Sequence, residues 1–123
     1  MKQYEVIIIG GGPAGLTAAI YLERAGHPCL VLEEYVCGGQ MVNTPEVENY
    51  PALSKISGAE LSSSLYNQAV EQGATVEFDG VVSADLEGPE KKVTTLGGMT
   101  YTAKAVIIAN GAKRRKKIGR AHV

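Results

Sequence analysis

The chain has 123 residues, of which 45% are hydrophobic and 20% charged, and this balance suits one globular domain and argues against disorder. Twelve basic and 13 acidic residues give a net charge of −1, so the chain as a whole has no general attraction for nucleic acid or an anionic membrane.

The amino-terminal part of the chain predicts a β-α-β unit. Residues 6–9 are β-branched and apolar, which is typical of a strand buried on both faces of a parallel sheet. Glycines interrupt this run, Pro13 suits the first turn of a helix, and Gly26 suits its end. Residues 29–32 predict a second buried strand that ends at two glutamates.

The middle of the chain begins with residues 34–57, which lack periodicity, and such a segment inside a compact domain is usually functional. Capping-box spacing at residues 57–60 predicts the start of a helix, and Gly73 predicts its end. Residues 75–78 predict a short third strand.

The last predicted elements are strands. Alternating residues between 82 and 102 predict an antiparallel meander, in which Gly97 and Gly98 form a two-residue hairpin turn. The apolar residues 105–109 predict a further strand that rejoins the parallel sheet. The expected fold is therefore α/β: a Rossmann-like parallel sheet with an inserted antiparallel β-meander, incomplete at its C-terminal edge.

The turn after the first strand predicts a dinucleotide site. It reads Gly10-x-Gly12-x-x-Gly15, and Glu33 follows at the end of the second strand. These glycines allow a tight turn, close approach of a pyrophosphate and close packing of helix on strand, while the acid accepts hydrogen bonds from ribose hydroxyls. The P-loop alternative fails because Lys-Ser/Thr does not follow Gly15. The motif alone does not separate FAD from NAD.

Three further motifs occur in order along the chain. They are Gly38-Gly39-Gln40-Met41, Glu46-Val47-Glu48-Asn49-Tyr50-Pro51, and a segment from Tyr101 to Ala112 that ends in Ala109-Asn110-Gly111-Ala112. With the glycine turn they resemble the amino-terminal FAD-binding segment of bacterial thioredoxin reductases, as far as about Lys117. Asn110 stands where that family has Thr.

The resemblance implies a set of FAD-binding residues. Five would hold the pyrophosphate, one acid would bind the adenosine ribose and the next acid also belongs to the cofactor site. Four would line the flavin side, Val81 would contact the adenine through its backbone, and one turn matches the family's Ala-Thr-Gly. In that order they are Gly10, Gly12, Pro13, Ala14 and Gly15; Glu33 and Glu34; Gly38, Gly39, Gln40 and Asn49; Val81; and Ala109, Asn110 and Gly111.

The resemblance also implies a function. In the complete family enzyme, hydride passes from NADPH on a second domain to FAD, and electrons then reach a Cys-x-x-Cys disulfide and a thioredoxin-like protein. These 123 residues contain no second Gly-x-Gly-x-x-Gly and no Cys-x-x-Cys. We therefore expect the FAD-binding portion of such an oxidoreductase, not competent for turnover alone. A non-catalytic nucleotide-binding or interaction module, and part of a ferredoxin-NADP reductase-like relative, stay open as alternatives.

The remaining features lead to expectations about surroundings and assembly. Cys29 is interpreted as an inert buried residue and Cys37 as a loop residue, and neither histidine belongs to a catalytic or metal-binding constellation. We expect residues 1–112 to form the FAD-binding domain and the basic residues 113–123 a linker or tail that does not bind nucleic acid. Without a signal peptide or a membrane-length apolar run, we expect a cytoplasmic protein. An unpaired strand edge near Val106 predicts a homodimer or a domain-swapped assembly.

Overall fold

A computed structural model describes residues 2–34 and 58–109 of the chain, with two helices and six strands in those ranges. The elements in chain order are β1 (Lys2–Ile9), α1 (Pro13–Arg24), β2 (Cys29–Leu32), α2 (Gly58–Glu71), β3 (Thr75–Glu77), β4 (Val81–Asp85), β5 (Lys91–Thr95) and β6 (Thr100–Ile108).

The six strands form one sheet in the order β3-β2-β1-β6-β5-β4. The first four strands in this order are parallel, and β5 is antiparallel to both β6 and β4. The predicted α/β fold, a Rossmann-like parallel sheet with an inserted meander, is confirmed. The β-branched residues of β1 explain its central position, since a strand flanked on both sides and covered on both faces needs an apolar sequence.

One long strand takes the place of two predicted ones. Residues 100–103 of β6 pair with β5 in the meander, while the same strand pairs with β1 from Tyr101 to Ile108. The prediction that a separate strand begins at residue 105 was therefore wrong, because these residues belong to a strand that begins at Thr100. The exposed Lys104 interrupts the apolar pattern, but β6 keeps the same register with β1 on both sides of it.

Two hydrophobic cores lie on opposite faces of the parallel strands. One core joins β1 and β2 to both helices, and it includes Ile8, Leu16 and Leu61. The other joins β1 and β2 to the meander, and it includes Ile7 and Val93. Helices, parallel sheet and meander thus form three layers, and burial of apolar surface on both sheet faces holds them together.

Both helices end at the predicted glycines, but the β5–β6 connection is longer than predicted. Each helix ends in a Schellman motif, with Gly26 and Gly73 at positive φ angles of 87° and 111°. The β5–β6 connection has four residues, Leu96 to Met99, where two were predicted. Of its two glycines only Gly98 has a positive φ, whereas a two-residue type I′ turn needs two such residues. No helix in residues 2–34 or 58–109 is long and apolar enough to cross a membrane.

Candidate nucleotide-binding site

The glycine turn connects the carboxyl end of β1 to the start of α1. Gly10 has a φ of 116°, and its N–H donates to the carbonyl oxygen of Leu32 at 2.8 Å, which ties the ends of β1 and β2 together. Gly12 is the N-cap residue and Pro13 occupies the first turn of the helix, where proline's missing N–H costs no helical hydrogen bond. The sequence therefore bends the chain sharply and starts a helix within three residues.

Gly15 allows α1 to lie directly against the turn. A Cβ atom at Gly15 would lie 2.0 Å from the carbonyl oxygen of Gly10 and 3.2 Å from Cγ2 of Ile8. Side-chain atoms do not approach a backbone oxygen so closely, so any larger residue would push the helix away from β1. The close packing predicted for the third glycine of the motif is present in the structure.

The start of α1 has free capacity for an anion. No side chain caps it, and its first turn contains no acidic residue. The first helical hydrogen bond runs from Leu16 N–H to the carbonyl oxygen of Gly12 at 2.9 Å, so the amides of the first turn have no partner within the helix. The helix dipole adds a partial positive charge at this end, which favours a phosphate group.

Glu33 lies beside this turn. Its side chain is buried, with 7% of the residue exposed, and its Oε1 atom accepts a hydrogen bond from the N–H of Gly11 at 2.6 Å. Its own N–H donates to the carbonyl oxygen of Glu77 at 3.0 Å, which fixes the backbone between β2 and β3. The structure therefore holds a carboxylate against the glycine turn, next to the uncapped start of α1.

The other predicted residues divide into those that the structure describes and those that lie outside the described residues. Ala109 lies at the same edge, because its N–H donates to the carbonyl oxygen of Ile9 at 2.8 Å. Val81 begins β4 and pairs with Thr95, and Glu34 lies half-buried against the backbone of Gly80. The remaining predicted positions lie outside the described residues: Cys37, Gly38, Gly39, Gln40, Asn49, Asn110 and Gly111.

Cys29 lies in the hydrophobic core between the sheet and the helices. It is 1% exposed, and burial, followed by the neighbouring Glu23 carboxylate, raises the pKa of its thiol to about 12. A thiol with so high a pKa is protonated at neutral pH and is a poor nucleophile. Glu23, which sequence patterns did not single out, accepts a hydrogen bond from the N–H of Cys29 at 2.8 Å and so joins α1 to the start of β2.

His27 has a structural contact. Its Nδ1 lies 2.9 Å from Oε1 of Glu5, and both side chains are substantially exposed. Surface pairs of this kind contribute little to stability. Within residues 2–34 and 58–109, no three His, Cys, Asp or Glu side chains come together as a metal site would require.

Comparisons with known proteins agree with this geometry. Residues 4–119 match the family described as pyridine nucleotide-disulphide oxidoreductase. The chain is 50% identical over 115 residues to thioredoxin reductase from Listeria innocua, covering 94% of this chain and 36% of that protein. It is 48% identical over 118 residues to thioredoxin reductase from Bacillus subtilis, covering 96% and 37%.

A solved thioredoxin reductase structure also resembles this chain. Thioredoxin reductase from Streptococcus pyogenes superimposes with a TM-score of 0.85 at 40% identity, covering 94% of this chain and 37% of that one. The chain thus spans a little over a third of the length of the relatives that it matches.

Proposed function

Because the chain belongs to the pyridine nucleotide-disulphide oxidoreductase family, we propose that it is the FAD-binding portion of a flavoprotein that resembles thioredoxin reductase. When bound, FAD supplies the redox chemistry, and the protein supplies binding and orientation. For the whole protein we propose electron transfer from NADPH through FAD to the disulfide of a thioredoxin-like partner. We expect the 123 residues alone to bind the cofactor without turnover.

The observation that carries this proposal is the Glu33 carboxylate held on the Gly11 N–H beside an uncapped helix start. The residues present fit the adenosine diphosphate half of FAD. The amides of the first turn of α1 would bind the pyrophosphate, and Gly15 leaves no Cβ to separate the helix from the turn. The carboxylate would accept hydrogen bonds from the ribose hydroxyls.

The proposed contacts extend beyond the described site. We assign Gly38, Gly39, Gln40 and Asn49 to the flavin side, Val81 to the adenine, and Ala109, Asn110 and Gly111 to the remaining turn, as the family resemblance implies. Ala109 supports the last assignment, because its hydrogen bond to Ile9 brings the start of that turn to the end of β1. We further propose that residues 1–112 form the FAD-binding domain and that 113–123 form a basic linker.

The test is reconstitution with FAD. The purified chain is mixed with FAD, separated from excess cofactor by gel filtration, and examined for flavin absorbance. We expect Glu33→Gln to weaken binding about tenfold, since a hydrogen bond to a charged group contributes about 1.5–3 kcal/mol. Glu90→Gln, at an exposed position before β5, is the matched control and should bind like wild type. Equal affinity of Glu33→Gln and wild type would contradict the assignment.

A non-catalytic nucleotide-binding module is the second candidate. It is favoured by one observation: the uncapped helix start and the Glu33 carboxylate suit a ribose and a diphosphate, which FAD and NAD share. A colourless chain that binds NAD more tightly than FAD would support this candidate. Sustained NADPH-dependent disulfide reduction by the chain alone would instead overturn the expectation that it does not turn over.

We also propose a cytoplasmic location and a homodimer or domain-swapped assembly. The dimer is supported by β6, whose residues 105–108 pair with β1 alone among the described strands, and whose Ile108 is half-exposed. A strand edge with unpaired backbone groups invites pairing with another chain. Light scattering at high protein concentration tests this, and a monomer would contradict it.

A further inference from the structure

Gly80 lies beneath two side chains from distant parts of the sequence. A Cβ atom at this position would lie 2.9 Å from Cδ1 of Leu96 and 3.0 Å from Cγ of Glu34. Both distances are shorter than most Cβ contacts, so glycine lets the two side chains pack closely over the backbone, and a larger residue would have to displace them. The side chains of Leu96 and Glu34 therefore lie next to each other over the bare backbone of Gly80.

The backbone that carries Leu96 is held in place by two hydrogen bonds. The N–H of Leu96 donates to the carbonyl oxygen of Gly80 at 2.8 Å, and the N–H of Gly97 donates to Oδ1 of Asp79 at 3.0 Å. The β5–β6 connection is thus fastened to the segment that leads into β4. Leu96 nevertheless leaves 65% of its surface exposed, so a large apolar side chain is presented to solvent on a fixed support.

This apolar side chain packs beside Glu34, the residue that follows the proposed ribose-binding acid. Glu34, which Leu96 adjoins, directly follows Glu33, whose carboxylate lies on the glycine turn. Ligands of open α/β sheets bind outside the carboxyl ends of the strands, and both acids follow the carboxyl end of β2. With the diphosphate on the glycine turn and the ribose on Glu33, the base extends away from the turn, toward Glu34 and Leu96.

We propose that Leu96 binds the adenine of the dinucleotide by apolar contact. This inference rests on the proposed function. The contact would remove apolar surface of both the leucine and the purine face from water. Besides Val81, which is already assigned to the adenine, it adds a side chain from the β5–β6 connection, which the glycine motif and the acid do not indicate.

The experiment compares Leu96→Ala, Leu96→Met and Met99→Ala with the wild-type chain. Met99 is the matched control, because it is a partly exposed apolar residue of the same connection. Equilibrium titration with ADP and with FAD gives the dissociation constants, and thermal unfolding without ligand reports stability. We expect Leu96→Ala to weaken both ligands about five- to tenfold, from the apolar area lost. Leu96→Met should restore most of the affinity and Met99→Ala should leave it unchanged.

The outcomes separate this inference from the proposed function. If the wild-type chain binds neither ADP nor FAD, the proposed function fails and the inference fails with it. If wild type binds both and Leu96→Ala binds them equally well, the inference alone is overturned. A loss of affinity shared by Met99→Ala, or accompanied by an equal loss of ligand-free stability, would also overturn it, because the leucine would then act on the hairpin and not on the base.

Discussion

The buried thiol of Cys29 makes stability depend on pH in a way that can be measured. Its pKa is raised in the folded chain from an ordinary value of 9.0 to about 12, mainly by burial and secondly by Glu23. Below pH 9 the thiol is neutral in both the folded and the unfolded chain. Above pH 9 only the unfolded chain gains by releasing the proton, so the stability falls as the pH rises from about 9 to about 12.

The size of this effect follows from the two pKa values. At pH 10.5 the unfolded thiol is 1.5 pH units above its ordinary pKa, and at about 1.36 kcal/mol per unit the folded chain loses about 2 kcal/mol relative to pH 8. The chain carries other ionisable groups as well. Cys29→Ala is therefore the reference, since it retains those groups and removes only this thiol.

The assay is urea unfolding of wild type and Cys29→Ala at pH 8, 9.5 and 10.5. The alanine variant should be less stable at pH 8, because it leaves a small cavity beside Ala19. The stability difference between the two proteins should then shift by about 2 kcal/mol in favour of the variant by pH 10.5. A stability difference between the two proteins that stays constant from pH 8 to pH 10.5 would refute the reasoning. It would mean that the thiol ionises alike in the folded and the unfolded chain.

Three other substitutions test contacts of the fold. Gly15→Ala should abolish FAD binding and lower stability by at least about 3 kcal/mol, because its Cβ would meet the Gly10 carbonyl oxygen at 2.0 Å; a variant that binds FAD normally would contradict this. Thr102→Val should raise the free energy of unfolding by about 1 kcal/mol and so raise the urea midpoint, since Thr102 Oγ1 is buried with no hydrogen-bond partner among the described residues. A lower midpoint would show that the hydroxyl has a partner. Glu23→Ala should cost about 2 kcal/mol by leaving the Cys29 N–H without its acceptor, and Glu23→Gln, which keeps an acceptor oxygen, should cost less; equal stability of Glu23→Ala and wild type would contradict the role.

The β-α-β unit could be predicted from sequence because its signals are local. The apolar run of β1, the glycine turn and Pro13 each restrict the backbone within a few residues, and α1 begins at Pro13 as predicted. Glu33 could be placed for the same reason, since a strand of predicted direction carries the residue that follows it to the edge where the turn lies. Its bond to the Gly11 N–H depends on side-chain geometry that spacing does not give.

The meander was less predictable because its pairing is set by tertiary packing. The continuous pairing of β6 across Lys104 depends on β1, which lies far away in the sequence. Gly80 and Glu23 gave no local signal either. Gly80 matters because two remote side chains pack over it, and Glu23 because it accepts a hydrogen bond from the next strand. Such contacts exist only once the layers have come together.

The position of β1 between β2 and β6 has a consequence for the order of folding. Val6 pairs with Cys29 on one side and with Ala105, 99 residues further along the chain, on the other. Closing the second pairing requires a long loop, whose entropy must be overcome before the contact contributes. During synthesis β1 can therefore pair with β2 early, but it cannot pair with β6 until nearly the whole described chain has left the ribosome. In that interval one edge of the apolar residues 6–9 of β1 has no partner strand, and an exposed edge of this kind favours aggregation of an incompletely folded chain.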